Sequence, residues 1–225
     1  LFLSHPHATS EDFQALANEI ERQTGLPKEL ENVYSWFAFL ASRQNPNVSV
    51  SNCFFGRAAA DDKHKMRGIA LRRSDTCQFV SNIQRGVFDI LAKEPDPADL
   101  VDLLPDAKVF VQSQLDILKK REVPLEELVV KQTLSREPDR YSALSPSAVA
   151  ARQLQAQGKT MRRGQRLRFI YTGPAPGVYA WGLSAPLNPR MIDVPKYREL
   201  VLRAVHQMMQ PFGVTEKILR EWLFS

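Results

Sequence analysis

The chain of 225 residues and 25.6 kDa is long enough for one large domain or two small ones, and it can bury a substantial core without disulfide or metal staples. Its 44% hydrophobic and 24% charged residues exclude a disordered chain, and no apolar run approaches the ~20 residues of a membrane-spanning helix. The 30 Lys and Arg against 25 Asp and Glu leave +5, a balance that points to a polyanionic partner only where the excess is clustered.

In chain order, Leu1-Phe2-Leu3 reads as the end of a strand. The chain opens without Met and without a basic, then apolar, leader, which reads as a piece of a longer protein and not as a signal peptide. A helix follows, capped by Thr9 or Ser10, with Glu11 and Asp12 in its first turn and Phe13, Leu16, Ala17 and Ile20 on one face; Gly25 stops it. Residues 33–40 and 50–56 are β-rich, and Met66–Leu71 follows a polar turn at Asp61-Asp62-Lys63. Short turns between three such runs predict an antiparallel meander.

From Thr76 the period becomes helical. Phe79, Ile83, Val87, Ile90 and Leu91 share one face, and Phe110, Val111, Gln114, Leu115 and Leu118 mark the next helix. Between them Glu94–Asp106 carries five acids and no base, an exposed connector with a short helix. Ser145-Pro146 is an N-cap and N1 pair, and Gly158 closes the helix it opens. Leu167, Phe169 and Tyr171 alternate with Arg166 and Arg168, a strand with a basic exposed face, and residues 173–190 read as loop. Tyr197, Leu200, Val201, Ala204, Val205 and Met208 form an amphipathic helix ended by Pro211, and Thr215 caps a last one carrying Ile218, Leu219 and Trp222. The fold class is α+β: an antiparallel β-meander with a helix over 1–76, then a mainly helical part with a small β element over 77–225.

The charge is local. Residues 131–168 hold nine bases (Lys131, Arg136, Arg140, Arg152, Lys159, Arg162, Arg163, Arg166 and Arg168) against Glu137 and Asp139. That stretch is +7, so the remainder sums to −2. A solvated face is the plain explanation of a charge run. The predominance of Arg across loop, helix and strand favours a surface that tracks phosphates.

The residues supply no familiar active site. There is no HExxH, GxSxG, Walker A loop or GxGxxG. His5 and His7 have no carboxylate beside them, His64 and His206 read as surface or core-edge residues, and Asp61-Asp62 reads as turn chemistry. Cys53 and Cys77 lack metal-site spacing and are expected to be reduced thiols of a cytoplasmic protein. No catalytic residue and no metal ligand is assigned.

Three blocks then resemble the palm–thumb end of family B DNA polymerases. Arg67-Gly68-Ile69-Ala70-Leu71-Arg72-Arg73-Ser74-Asp75-Thr76, with Phe79-Val80 and Gln84 following, is similar to that family's K-G-x-E-x-x-R-R-D segment. Leu128-Val129-Val130-Lys131-Gln132-Thr133-Leu134-Ser135, then Tyr141, Leu144-Ser145-Pro146-Ser147, Ala150-Ala151, Gly158 and Gly164-Gln165-Arg166-Leu167-Arg168-Phe169, resembles the thumb pattern. Asp193, Tyr197 and Pro211-Phe212-Gly213 resemble its closing D-x-x-Y…PFG helix.

The resemblance implies a C-terminal palm part over 1–76 and a thumb over 77–225, with primer–template duplex DNA as partner. Arg72, Arg73, Lys131, Arg152, Arg163, Arg166 and Arg168 fall where it implies backbone contacts, and an Arg72–Asp75 ion pair is the structural alternative for that pair. It implies no cofactor within this piece, Mg²⁺ on D-T-D carboxylates that precede the position of Leu1 in the parent, and a sliding clamp as a partner reached through the parent. No clamp peptide is recognisable at Trp222-Leu223-Phe224, which lacks the Gln. Two departures stand out: Ser51-Asn52-Cys53-Phe54-Phe55-Gly56 replaces K-K-x-Y-x-G, removing two lysines and a phenol, and Ser147 replaces a His. They leave a second reading, a catalytically inactive polymerase-derived binding or scaffold module.

Overall fold

The computed structural model describes residues 4–5, 7–42, 45, 48–60, 64–141, 145–173 and 177–224. The Leu1-Phe2-Leu3 strand end, the Asp61-Asp62-Lys63 turn and Leu144 lie outside them.

Helix α1 (Ser10–Thr24) begins at Thr9, whose Oγ1 accepts the Asp12 N–H while Asp12 Oδ2 accepts the Thr9 N–H at 2.7 Å, a reciprocal capping box. Gly25 ends it at φ 69°. Its apolar stripe is only half covered: no residue of α1 is buried, and Leu16 is 42% exposed.

Strands β1 (Tyr34–Ala41), β2 (Ser49–Ala58) and β3 (Lys65–Arg67) form the expected antiparallel meander in sequence order. Trp36 lies opposite Arg57 and Ala38 opposite Phe55, so these four side chains share one face of the sheet. Helix α2 (Gln78–Leu91) lies on that face, and Phe88 meets the rings of Trp36 and Phe55 at 6.0 and 6.2 Å. Polar bonds join sheet and helix: Arg57 Nε donates to Ala92 O at 2.7 Å, and Trp36 Nε1 donates to Glu94 O at 2.8 Å.

The third strand is shorter than the periodicity predicts. It ends at Arg67, and Ala70–Arg72 is a 3₁₀ turn. Gly68 turns the chain at φ 69°, and a Cβ there would lie 2.3 Å from Asn52 O, so the site requires glycine. Ile69 is then fully buried. The amides of Ala70 and Leu71 bond to side chains instead of a neighbouring strand: Gln207 Oε1 accepts from Ala70 at 3.0 Å, and Gln84 Oε1 accepts from Leu71 at 2.6 Å.

Helix α3 (Leu104–Lys120) crosses α2 so closely that a Cβ on Gly86 would sit 2.4 Å from the Phe110 ring. Before it, a 3₁₀ turn at Asp99–Leu103 buries Leu100 and exposes the acids, as the connector reading expects. Strands β4 (Val130–Thr133), β5 (Arg166–Tyr171) and β6 (Val178–Ala180) make a second antiparallel sheet in that order. Strand β6 corrects the loop reading of 173–190: three residues framed by glycines show no alternation, and only their pairing with β5 makes them a strand. Helix α4 (Pro146–Gln155), capped by Ser145, covers the edge. Gln153 Nε2 donates to Val178 O and Gln153 Oε1 accepts from Ala180 N–H, both at 2.8 Å.

Helix α5 (Val194–Met209) runs against α2 and leads through Pro211 to α6 (Glu216–Phe224), which Thr215 caps. Tyr197 is fully buried; its hydroxyl donates to Leu128 O at 2.6 Å and accepts the Tyr171 N–H at 3.1 Å. Burial lifts that phenol far above its ordinary value. One buried cluster runs from Trp36 through Val87, Leu118, Phe169 and Val201 to Leu223, on both sides of residues 76 and 77. Among the described residues no helix is long and apolar enough to cross a membrane.

Gln84 is the polar group this core depends on. It is fully buried, and its Nε2 donates to Ala204 O at 2.7 Å while its Oε1 holds Leu71. Gln84→Ala leaves the Leu71 N–H without its acceptor and takes the second donor from Ala204 O, and unfolding in urea is expected to show a loss of about 1–3 kcal/mol. A loss below about 0.5 kcal/mol, the scatter of ordinary surface substitutions, would remove Gln84 from that role.

Candidate nucleic-acid interface

The pleat of the second sheet sorts its side chains. Lys131 lies opposite Arg168 and Thr133 opposite Arg166, and opposed residues project from the same face. All four are exposed, while Val130, Leu167 and Phe169 on the other face are buried in the core. The Leu134 N–H donates to Gln165 O at 2.9 Å. Alternation from that bond makes Lys131–Arg168 a non-hydrogen-bonded pair, the closer of the two kinds. Like charges directly opposed destabilise a sheet. Among the described residues neither Lys131, Arg166 nor Arg168 forms an ion pair.

The 3₁₀ turn brings a further base to this edge. Arg73, Ser74 and Asp75 line an open cleft of about 530 Å³ together with Lys131, Gln132, Thr133 and Arg166. Glu126 and Glu127 line the adjoining hollow, so the basic surface is bounded on that side by acids. Arg73 grips Asp75 by two bonds, Nε to Oδ1 at 3.0 Å and Nη2 to Oδ2 at 2.8 Å. The expected alternative paired Asp75 with Arg72; the structure gives Asp75 to Arg73 and leaves Arg72 exposed outside the cleft lining. The reason is local: the chain is extended at Arg73 (φ −88°, ψ 136°) as it leaves the 3₁₀ turn, which aims that guanidinium at the carboxylate two residues on. The bonds from Arg73 hold the Asp75 carboxyl below its ordinary 3.8.

The other assigned bases lie elsewhere. Arg152 is exposed on α4, and Arg163 sits in the turn before β5, its N–H bonded to Glu137 Oε1 at 3.2 Å. Neither lines the cleft. Lys159 is committed to the fold, with Nζ donating to Gly182 O at 2.7 Å. Thr133 and Gln132 belong to the cleft without having been singled out as binding residues; their place follows from the register of β4, which the period of so short a strand does not reveal.

Tyr141 fixes the turn after β4: its hydroxyl accepts the N–H groups of Ser135 and Arg136 at 3.0 and 3.2 Å. The Ser135 hydroxyl and then these amides draw its phenol below its ordinary value. The departures also have structural counterparts. Ser147 is buried and bonded to Ser145 Oγ at 3.2 Å. Phe54 is 1% exposed among Phe37 and Phe39, while Ser51 and Asn52 are exposed.

Among the described residues no three of His, Cys, Asp and Glu converge as a metal site. Asp75, the one carboxylate of the cleft lining, is occupied by Arg73. The described residues therefore do not fit a Mg²⁺ ion, and no step is routed through one. Cys53 and Cys77 are free thiols, and burial pushes Cys77 to about 11, so it stays protonated at neutral pH.

One face of the second sheet thus carries exposed bases, and one core joins that sheet to the β-meander. The sequence profile of DNA polymerase family B matches residues 16–208, and the chain belongs to that family. It is 27% identical over 201 residues to DNA polymerase 1 of Aeropyrum pernix, covering 89% of this chain and 20% of that protein. To DNA polymerase 1 of Sulfolobus acidocaldarius it is 23% identical, over 96% of this chain and 23% of the relative. The family B DNA polymerase structure from Pyrobaculum calidifontis superimposes with a TM-score of 0.62 at 17% identity, over 92% of this chain and 25% of that one, which shows a shared fold. The chain thus spans about a fifth to a quarter of the length of these proteins.

Arg73 and Asp75 are 54% and 40% exposed, so solvent screens their attraction. Asp75→Asn is expected to change stability by less than about 1 kcal/mol in thermal melts. Because the folded-state pKa is depressed, the pair's contribution is full above the ordinary 3.8 and is lost only as pH falls through the lowered value. Melts of chain and variant should therefore run parallel from neutral pH to about 5, a unit above that ordinary value; a gap that changes across that window would refute the assignment.

Proposed function

We propose that this chain forms the C-terminal palm part, over 1–76, and the thumb, over 77–225, of a template-directed DNA polymerase. Its task is to grip primer–template duplex DNA through backbone phosphates. The observation that carries the reading is the directly opposed Lys131–Arg168 pair with Arg166 beside it on one exposed face. Among the described residues none of the three is ion-paired, cations so close repel one another in the free protein, and a phosphate backbone relieves that repulsion. Contacts of this kind position a duplex and carry little sequence information, as a polymerase requires. Arg73 approaches from the palm side of the cleft, its charge balanced by Asp75; Arg72, Arg152 and Arg163, exposed outside the cleft lining, supply further backbone contacts on this reading.

On this reading the chain's part in nucleotidyl transfer is positional: it fixes the duplex so that the primer terminus meets Mg²⁺-binding carboxylates elsewhere in the polymerase. A sliding clamp is a further proposed partner of the whole polymerase. A second reading rests on Phe54, buried where the family pattern has a Tyr, beside Ser51 and Asn52 where it has lysines. With that contact weakened, the same fold serves as a DNA-binding module without catalysis. Primer extension by the full polypeptide supports the first reading, and duplex binding without extension supports the second.

Duplex binding by the chain should be indifferent to sequence and sensitive to salt. With Lys131, Arg166 and Arg168 engaged, log affinity is expected to fall with log salt at a slope of about −2.7, or about 40-fold from ~50 to ~200 mM. Lys131→Ala should reduce the slope by about one unit, and Asp75→Asn, by releasing Arg73, should steepen it by about one. Affinity flat in salt, or a slope untouched by Lys131→Ala, would show that the sheet does not engage phosphate.

A further inference from the structure

The basic row does not end at Arg168. The Trp181 N–H donates to Arg168 O at 2.8 Å, continuing the β5–β6 ladder one residue beyond Ala180, which pairs with Phe169. Trp181 is therefore the residue opposite Arg168, as Lys131 is on the other side. Lys131, Arg168 and Trp181 form one row across three chain segments, on the face that also carries Arg166, with neighbours about 5 Å apart at Cβ. Trp181 is partly buried: it packs against the core and keeps part of its surface exposed.

Its segment is held from behind by two independent bonds. Lys159 Nζ donates to Gly182 O at 2.7 Å, and the Ser184 N–H donates to Gln157 Oε1 at 3.3 Å. Gly182 takes φ 95°, and the chain beyond it is held by Tyr179, two residues before Trp181, whose hydroxyl donates to Ala185 O at 2.7 Å. A lysine of the basic stretch thus serves to position the residue after Trp181. Among the described residues, no cation lies over the Trp181 ring, in contrast to Lys108 over Trp222 and Lys196 over Tyr171.

We infer that Trp181 is a further DNA-binding residue: its indole packs on the apolar sugar edge of the duplex strand whose phosphates Lys131 and Arg168 hold. The inference rests on the duplex-binding reading above and adds a non-ionic contact to it. A nucleic-acid strand alternates charged phosphates with apolar faces, so a row of two cations and one large ring matches both. An aromatic contact releases no counterion, so it contributes to affinity and not to the salt slope. That difference separates Trp181 from every basic residue of the site.

The test is a salt titration of the 225-residue chain with a short mixed-sequence duplex, read by anisotropy of labelled DNA and by intrinsic fluorescence. Trp181→Ala should weaken binding about tenfold with an unchanged slope, where Lys131→Ala lowers both. Of the three tryptophans Trp36 is 5% exposed in the core; with Trp222 on α6 replaced by Phe in every sample, the quenching of Trp emission by duplex should come from Trp181 and vanish in Trp181→Phe. The Phe variant keeps a ring for packing, so the fluorescence test holds even where Trp181→Ala fails to fold. Duplex binding with the slope lowered by Lys131→Ala, but with affinity untouched by Trp181→Ala or quenching retained in Trp181→Phe, overturns this inference alone. Absence of salt-dependent duplex binding overturns both it and the reading on which it rests.

Discussion

A buried side-chain amide ties the end of the β-meander to the two helices that pack beneath it. Gln84 on α2 accepts from the backbone of Leu71 and donates to the backbone of Ala204 on α5, with Gln207 beside it on Ala70. With Gln84 fully buried, each of these bonds is worth more than at the surface, and each is costly to leave unmade. The 3₁₀ turn has no strand partner, so these amides replace the missing ladder. Arg72 and Arg73 follow directly, and their placement relative to the second sheet is set by the same two helices.

The site is built from opposite electrostatic choices a few residues apart. Arg73 is neutralised in place by a bidentate carboxylate, which orients it and lowers its share of the net field. Among the described residues Lys131, Arg166 and Arg168 have no such partner on their pleat. That pleat is held from beneath: Val130, Leu167 and Phe169 are anchored in the core, and Tyr197 ties Leu128 and Tyr171 across the base of the sheet. A flexible loop could spread its cations apart; paired strands cannot. The repulsion is thus part of the free protein, ready to be relieved by an anion.

Much of this was legible in the residues. Capping chemistry located α1 to its terminal residues, helical period located α2, α3 and α5, and the alternation of Arg with apolar residues named the exposed face of β5. What failed were elements defined by partners far away in sequence. Strand β6 is three residues without a pattern, and the end of β3 depends on Gly68 meeting Asn52 and on glutamines from two helices. The Arg73–Asp75 pair was misassigned because residue spacing does not specify which of two adjacent guanidinium groups turns inward. The convergence of Arg73 with Lys131 and Arg166, 58 and 93 residues further along the chain, could come only from tertiary structure.

The position of Gln153 has a consequence for how crowded copies of this protein behave. Strand β6 is an edge, and its outward carbonyl at Val178 and outward amide at Ala180 are the groups a foreign strand would use to extend the sheet. Both are taken by one glutamine side chain. A second copy meeting that margin therefore finds its carbonyl and amide already bonded, and no template there for strand exchange.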